Sequence, residues 1–230
     1  MKIFVITPFP GIISGALQES ILKRAQENGL VEIHLIDLRD YTTDKHRQVD
    51  DYPYGGGPGM LLKPEPFFRA VEAIRTGELC SARVTLLCPQ GTPYAQPKAR
   101  EFSVRSDLIL LCGHYKGIDE RVRQALVDEE ISIGDYILTG GELAALVVID
   151  SVVRLLPGAL GDFDSAQSDS FEDGHLDCAY YTRPQTYDGM TVPEVLLSGN
   201  HAEIAKWRKT NALTRTRARR ADLLADACLD

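Results

Sequence analysis

Three apolar runs in the sequence end in small residues. The run 82–88 leads into Pro89-Gln90-Gly91, 107–112 into Gly113, and 129–133 into Gly134, with Gly140-Gly141 close behind. In an open parallel sheet, ligands bind beyond the carboxyl ends of the strands, where glycines let backbone approach them. Three such ends side by side would make one backbone-lined pocket. Glycine is also common in ordinary turns after strands, so the count alone leaves both readings open.

A second glycine-rich stretch, Gly55-Gly56-Gly57-Pro58-Gly59, follows Asp50-Asp51. It is neither the dinucleotide fingerprint nor the Walker phosphate loop, and neither pattern occurs in its proper context elsewhere. A loop of this kind, Gly59 included, either lets a phosphate or base come close or is a flexible surface turn. The five histidines, at 34, 46, 114, 175 and 201, are scattered with no H-x-x-x-H pair, so no metal site is expected. No G-x-S-x-G elbow exists for nucleophilic hydrolysis. Asp169, in Ser168-Asp169-Ser170, reads locally as a solvated turn former, and Arg154 as a snorkelling residue at a helix end. Neighbouring residues alone single out neither for catalysis.

Charge is unevenly spread. Residues 201–220 carry Lys206, Arg208, Lys209, Arg215, Arg217, Arg219 and Arg220 against Glu203, a net of +6 in a chain of net −8. The other 210 residues therefore hold −14. A basic segment on an acidic protein suits a local polyanion contact, and equally a solvated helix face.

The elements that must position these residues follow from the periodicity. Strands are expected at 2–7, 31–37, 82–88, 107–112 and 129–133. Helices are expected at 12–27, 64–76, 118–128 and 140–156. Alternating strands and helices predict an α/β domain with a mainly parallel sheet over 1–160. The stretch 161–175 is acidic, rich in serine and without periodicity, and reads as a linker or lid. Asn200 with Glu203 predicts a capped basic helix through Trp207, and 211–230 is again helical in pattern, giving a small helical domain over 176–230. At 230 residues the chain can bury a core unaided. Its cysteines, at 80, 88, 112, 178 and 228, are odd in number with no C-x-x-C pair, which argues against a disulfide framework or zinc knuckle. Cys88 and Cys112 are expected to be small buried hydrophobes. No apolar run reaches the ~18 residues of a membrane helix and no signal peptide opens the chain, so a cytoplasmic protein without membrane contact is expected.

Several segments together carry a more specific message. These are Asp50-Asp51-Tyr52-Pro53-Tyr54-Gly55-Gly56-Gly57-Pro58-Gly59-Met60, Gly117-Ile118-Asp119-Glu120-Arg121-Val122, Ser132-Ile133-Gly134-Asp135-Tyr136-Ile137-Leu138-Thr139-Gly140-Gly141-Glu142-Leu143, Asp150-Ser151-Val152 and Leu196-Leu197-Ser198-Gly199-Asn200-His201. In this order, across nearly the whole chain, they resemble the bacterial tRNA (guanine-N1)-methyltransferases of the TrmD type, in the SPOUT superfamily.

The resemblance implies a parallel sheet with a deep trefoil knot, a small C-terminal helical domain that binds tRNA, and a homodimer with its active site at the interface. It implies S-adenosyl-L-methionine as methyl donor and the guanine just 3′ of the anticodon as acceptor, a modification that guards the reading frame. Carried over by match, the donor is held by Leu86, Leu87, Cys88, Pro89, Gln90 and Gly91. Gly113 with Tyr115, the stretch Ser132, Ile133, Gly134, Asp135, Tyr136, Ile137 and Leu138, and Gly140 and Gly141 complete its site. Asp169 matches the general base and Arg154 the residue that stabilises charge on O6. Gly59, Asp177, Trp207, Arg208, Lys209 and Arg215 are the implied RNA contacts. One position departs: Lys116 stands where related members carry a glutamate that helps hold Mg²⁺, which puts a Mg²⁺ requirement in doubt. The alternatives are a SPOUT methyltransferase acting on another RNA, and an RNA-binding module without catalysis.

Overall fold

The computed structural model describes residues 1–77, 82–160 and 169–225. The chain divides into two compact units, Met1–Gly161 and Asp162–Asp230.

The first unit is built on five parallel strands. These are β1 (Lys2–Thr7), β2 (Glu32–Asp37), β5 (Val84–Pro93), β6 (Asp107–Cys112) and β7 (Glu129–Ser132), in the order β2-β1-β6-β5-β7. Two short antiparallel strands, β3 (Asp50–Asp51) and β4 (Leu61–Leu62), bracket the glycine-rich loop. Helices α1 (Gly11–Ser14), α2 (Ser20–Glu27), α3 (Pro64–Gly77), α4 (Gln96–Ser103), α5 (Glu120–Leu126) and α6 (Glu142–Val153) complete the unit.

The central strand β6 shows why the sheet is buried on both faces. Leu108, Leu110 and Cys112 join one core with Ile3, Val5 and the buried side of α6. Ile109 and Leu111 join the opposite core with Leu86, and with Phe67 and Val71 of α3. Side chains alternate across a strand, so an unbroken apolar run is the mark of a strand covered on both sides.

The expected helix over 12–27 is divided. Glu19 is extended and separates α2 from the preceding turns. Ile13, Leu17 and Leu22 are all buried. Five residues separate Leu17 from Leu22, about 500° of an unbroken α-helix, which would turn them to different faces; the break lets both point inward. Strand β5 also runs past its expected end at residue 88. Leu87 and Thr92 both pair with Ile131, so residues 88–91 bulge from the ladder. That bulge leaves Cys88 half-buried, whereas Cys112 is fully buried as expected. Cys80 and Cys228 lie outside the described residues.

The second unit contains a β-ribbon of β8 (Thr186–Tyr187) and β9 (Met190–Thr191), the long helix α7 (His201–Arg219), and the short α8 (Asp222–Ala225). Asn200 caps α7 as its sequence predicts, its side-chain oxygen accepting from the Glu203 backbone N–H at 3.3 Å. The helix continues unbroken past Trp207 to Arg219, where two separate segments were expected. Thr216, buried, receives the Leu176 N–H at 3.0 Å, and Asn211 receives that of Ala179 at 2.8 Å. These two contacts dock the segment 176–179 on the C-terminal half of α7. Among the described residues no helix is long and apolar enough to cross a membrane.

Candidate active site

A cavity of about 310 Å³ opens at the carboxyl ends of β5, β6 and β7. Ligand pockets of small molecules begin at about this size. Its wall takes Leu86, Leu87, Cys88 and Pro89 from β5, and Gly113 and Tyr115 from the loop after β6. The end of β7 and the chain after it add Ser132, Ile133, Gly134, Tyr136, Ile137, Leu138, Gly140 and Gly141. Fourteen sequence-selected residues thus converge from three separate stretches. Gln90, Gly91 and Asp135 lie outside the wall.

Two of the glycines bring the loops into contact. The Gly141 N–H donates to the Gly113 carbonyl at 2.8 Å, and a Cβ on Gly141 would sit 2.9 Å from Cys112 Cα. Only a residue without a side chain permits that approach. Gly91 serves another purpose: a Cβ there would lie 2.3 Å from the Ile131 backbone nitrogen, so it packs β5 on β7 rather than facing the cavity.

The rest of the wall is held by local bonds. The Ser132 hydroxyl donates to the Gly134 carbonyl at 3.1 Å, and the Tyr136 hydroxyl to that of Ile133 at 3.2 Å, which fixes the turn after β7. Tyr115 has φ 59°, the left-handed region that non-glycine residues rarely occupy and that concentrates at functional sites. The Cys88 thiol donates to Glu130 at 3.1 Å, and Arg123 pairs with the same carboxylate. Burial first, and then this hydrogen bond, push the Cys88 thiol above its usual range.

Sequence reasoning passed over His114, Thr139 and Arg123, all on the wall, and Glu142 behind it. Glu142 is 1% exposed in the first turn of α6. An acid opening an otherwise apolar helix was the available signal. Lys116 is on the wall at its backbone turn, its N–H bonded to the Met60 carbonyl at 3.0 Å.

Arg154 is half-buried at the C-terminal end of α6 in the first unit. Asp169 belongs to the second unit, half-buried at the start of a turn in which the Glu172 N–H reaches the Asp169 carbonyl. Of the expected lid 161–175, residues 161–168 lie outside the described residues. Asp177 is tied to the same turn, its N–H donating to Ser170 Oγ at 3.0 Å. Its carboxylate accepts from the Cys178 N–H at 2.6 Å and from the Tyr180 hydroxyl at 3.1 Å.

On α7, Arg208 and Lys209 are exposed and Trp207 and Arg215 half-buried. Arg208 stands over the Tyr180 ring at 6.0 Å, and Trp207 contacts Tyr181 at 6.4 Å between ring centroids. Tyr180, Tyr181, Arg183, Ile204 and Arg208 frame a groove of about 570 Å³. Aromatic rings interleaved with arginines suit unstacked bases and phosphates.

Comparison with known proteins shows the family to which the chain belongs. The family model described as tRNA (Guanine-1)-methyltransferase TrmD matches residues 1–226. A tRNA (guanine-N(1)-)-methyltransferase of Geobacillus kaustophilus is 58% identical over 224 residues, covering 97% of this chain and 91% of that protein. One from Brevibacillus brevis is 56% identical over 229 residues, 100% of this chain and 93% of that protein. One from Staphylococcus carnosus is 53% identical over 225 residues, 98% and 91% respectively. With the match spanning both units, this chain belongs to the tRNA (guanine-1)-methyltransferase family.

Proposed function

We propose that the cavity at the ends of β5, β6 and β7 is the methyl-donor site of a tRNA (guanine-N1)-methyltransferase, and that S-adenosylmethionine is the donor. The observation that carries this reading is the cavity itself, lined by backbone of three loops in a chain whose whole length matches that family. The wall fits the donor. Gly113, Gly140 and Gly141 put no side chain on the wall, so a nucleoside can come close to the backbone, and Leu86, Leu87, Ile133 and Leu138 offer it apolar surface. When bound, S-adenosylmethionine supplies an electrophilic methyl group.

The guanine N1 carries a proton and is a poor nucleophile until that proton leaves. Asp169 accepts it, and Arg154 stabilises the negative charge that grows on O6. The acceptor is the guanine 3′ of the anticodon, and its methylation maintains the reading frame. Residues 161–175 form a lid over the base, and 176–230 form the tRNA-binding domain, with Asp177 near the base and Gly59 lining the RNA path. The exposed cations of α7 neutralise phosphates.

The active form is a homodimer with the site at its interface, Asp169 coming from the subunit opposite the cavity. Exposed Leu143 and Val147, one turn apart on α6, and Ile137, 80% exposed on the cavity loop, support such a surface. The sheet carries the family's deep trefoil knot, and the enzyme works in the cytoplasm. Mg²⁺ does not fit at the 116 position. A lysine offers it no oxygen and repels it, and no step is routed through the ion.

The deciding experiment is incubation with tritiated S-adenosylmethionine and bulk tRNA, followed by mapping of the labelled nucleotide. Label at guanine N1 next to the anticodon is expected. Label on ribose or at another base, or none, would overturn the assignment.

A further inference from the structure

Glu142 is buried yet holds two polar neighbours. The Thr7 hydroxyl donates to its Oε1 at 2.7 Å, and His114 Nδ1 lies 3.5 Å from its Oε2. Thr7 is itself fully buried at the end of β1, where its oxygen also accepts the Phe9 N–H at 2.9 Å. The Phe9 ring rests on the His114 ring at 4.5 Å, and Tyr115 meets it edge-on at 4.9 Å. Of these residues, His114 and Tyr115 reach the cavity wall, while Thr7, Phe9 and Glu142 stand outside it.

Gly140 makes the arrangement possible. A Cβ there would lie 2.1 Å from Glu142 Oε2 and 2.3 Å from His114 Nδ1. His114 and Gly140 also form a β-bridge, next to the Gly141–Gly113 hydrogen bond. The carboxylate thus sits where the loop after β6 crosses the start of α6. His114 Nδ1 is buried without a hydrogen-bond partner, and the Glu142 carboxylate 3.5 Å away is the polar group set beside it. A buried acid needs its oxygens satisfied, and Thr7 supplies a donor to Oε1.

We propose that Thr7 and Glu142 are positioning residues for the methyl donor: through His114 they pin the loop 113–117 to Gly140-Gly141 and hold the cavity open in its binding shape before the donor arrives. This deepens the reading of the cavity as the donor site and rests on it. Neither residue touches the donor, so they act on affinity through preorganisation and leave methyl transfer at saturation alone.

The test is titration calorimetry with S-adenosylmethionine, paired with single-turnover transfer at saturating donor on folded tRNA. Glu142→Gln, which takes the carboxylate from beside His114, and Thr7→Val, which takes the donor from Oε1, each weaken donor binding about tenfold. Thr7→Ser, which keeps the hydroxyl, restores affinity to within about twofold, and the rate at saturation stays within about twofold throughout. A merely structural pair would lower the melting temperature with affinity unchanged in the folded variants. That result, or a saturating rate that falls while affinity holds, overturns the proposal. If Glu142→Gln does not fold, the Thr7→Val and Thr7→Ser pair decides the matter alone. If the wild-type protein binds no donor, the reading of the cavity fails and the proposal falls with it. Wild-type binding with unaffected variants removes the proposal and leaves that reading intact.

Discussion

Lys116 lies across Gly59. A Cβ built on Gly59 would sit 2.7 Å from Lys116 Cγ, and the Lys116 N–H is bonded to the neighbouring Met60 carbonyl. The glycine-rich loop and the loop after β6 are therefore packed together through Lys116, the position where the resemblance leads one to expect a glutamate. With a lysine there, methyl transfer is expected to need Mg²⁺ less than in members with a glutamate. With tRNA kept folded by spermidine, activity should persist in EDTA, and Lys116→Glu should increase the response to added Mg²⁺. Activity that disappears in EDTA and returns only with Mg²⁺ would refute this.

Asp169→Asn should abolish most transfer while keeping donor affinity. The amide is nearly isosteric but cannot accept the N1 proton. Loss of a positioned base typically costs ~10²–10⁴-fold. A single-turnover rate near the wild-type value would return Asp169 to the role of a turn residue.

Arg208→Ala combined with Lys209→Ala removes two exposed cations from α7. Binding of tRNA should weaken, and the slope of log affinity against log salt should flatten by about one to two units. Donor affinity should stay as it is. An unchanged slope would mean that this part of α7 is only a solvated face.

Gly91→Ala tests the packing role assigned to that glycine. Its Cβ would meet backbone of β7 at 2.3 Å, which no rotamer change relieves. Overpacking of this sort costs about 3 kcal/mol, at the upper end of its usual range. The denaturation midpoint should fall accordingly, whereas an alanine that lowers donor affinity at unchanged stability would place Gly91 in the donor site.

Tyr180 gives the second unit a signature in alkali. Burial first, and then its hydrogen bond to Asp177, push the phenol from 10.0 up to about 12. A group whose pKa is raised by folding lends stability below its unfolded value and loses it as pH climbs through the folded one. The contribution should therefore be complete below pH 10 and fade between pH 10 and 12. Denaturant melts across that window, with Tyr180→Phe as control, should show a steeper loss of stability in the wild type than in the variant.

Much of this architecture was legible along the chain. Strand β6 reads as buried on both faces because five consecutive apolar residues can be nothing else in an alternating strand, and the cap of α7 follows from Asn200 and Glu203. The glycines after β6 and β7 also mark where backbone comes close to backbone, since such an approach needs them locally. Contacts made at a distance were not legible. Thr7 and Glu142 are 135 positions apart, and no periodicity joins them. That Gly91 packs on β7 depends on a register shift in β5, a property of two strands together. The division of 12–27 likewise arises because Leu17 and Leu22 must both reach the core, a demand that belongs to the core rather than to the helix. Propensity and pattern act through neighbours in sequence, whereas burial, register and the pairing of buried charge act through neighbours in space.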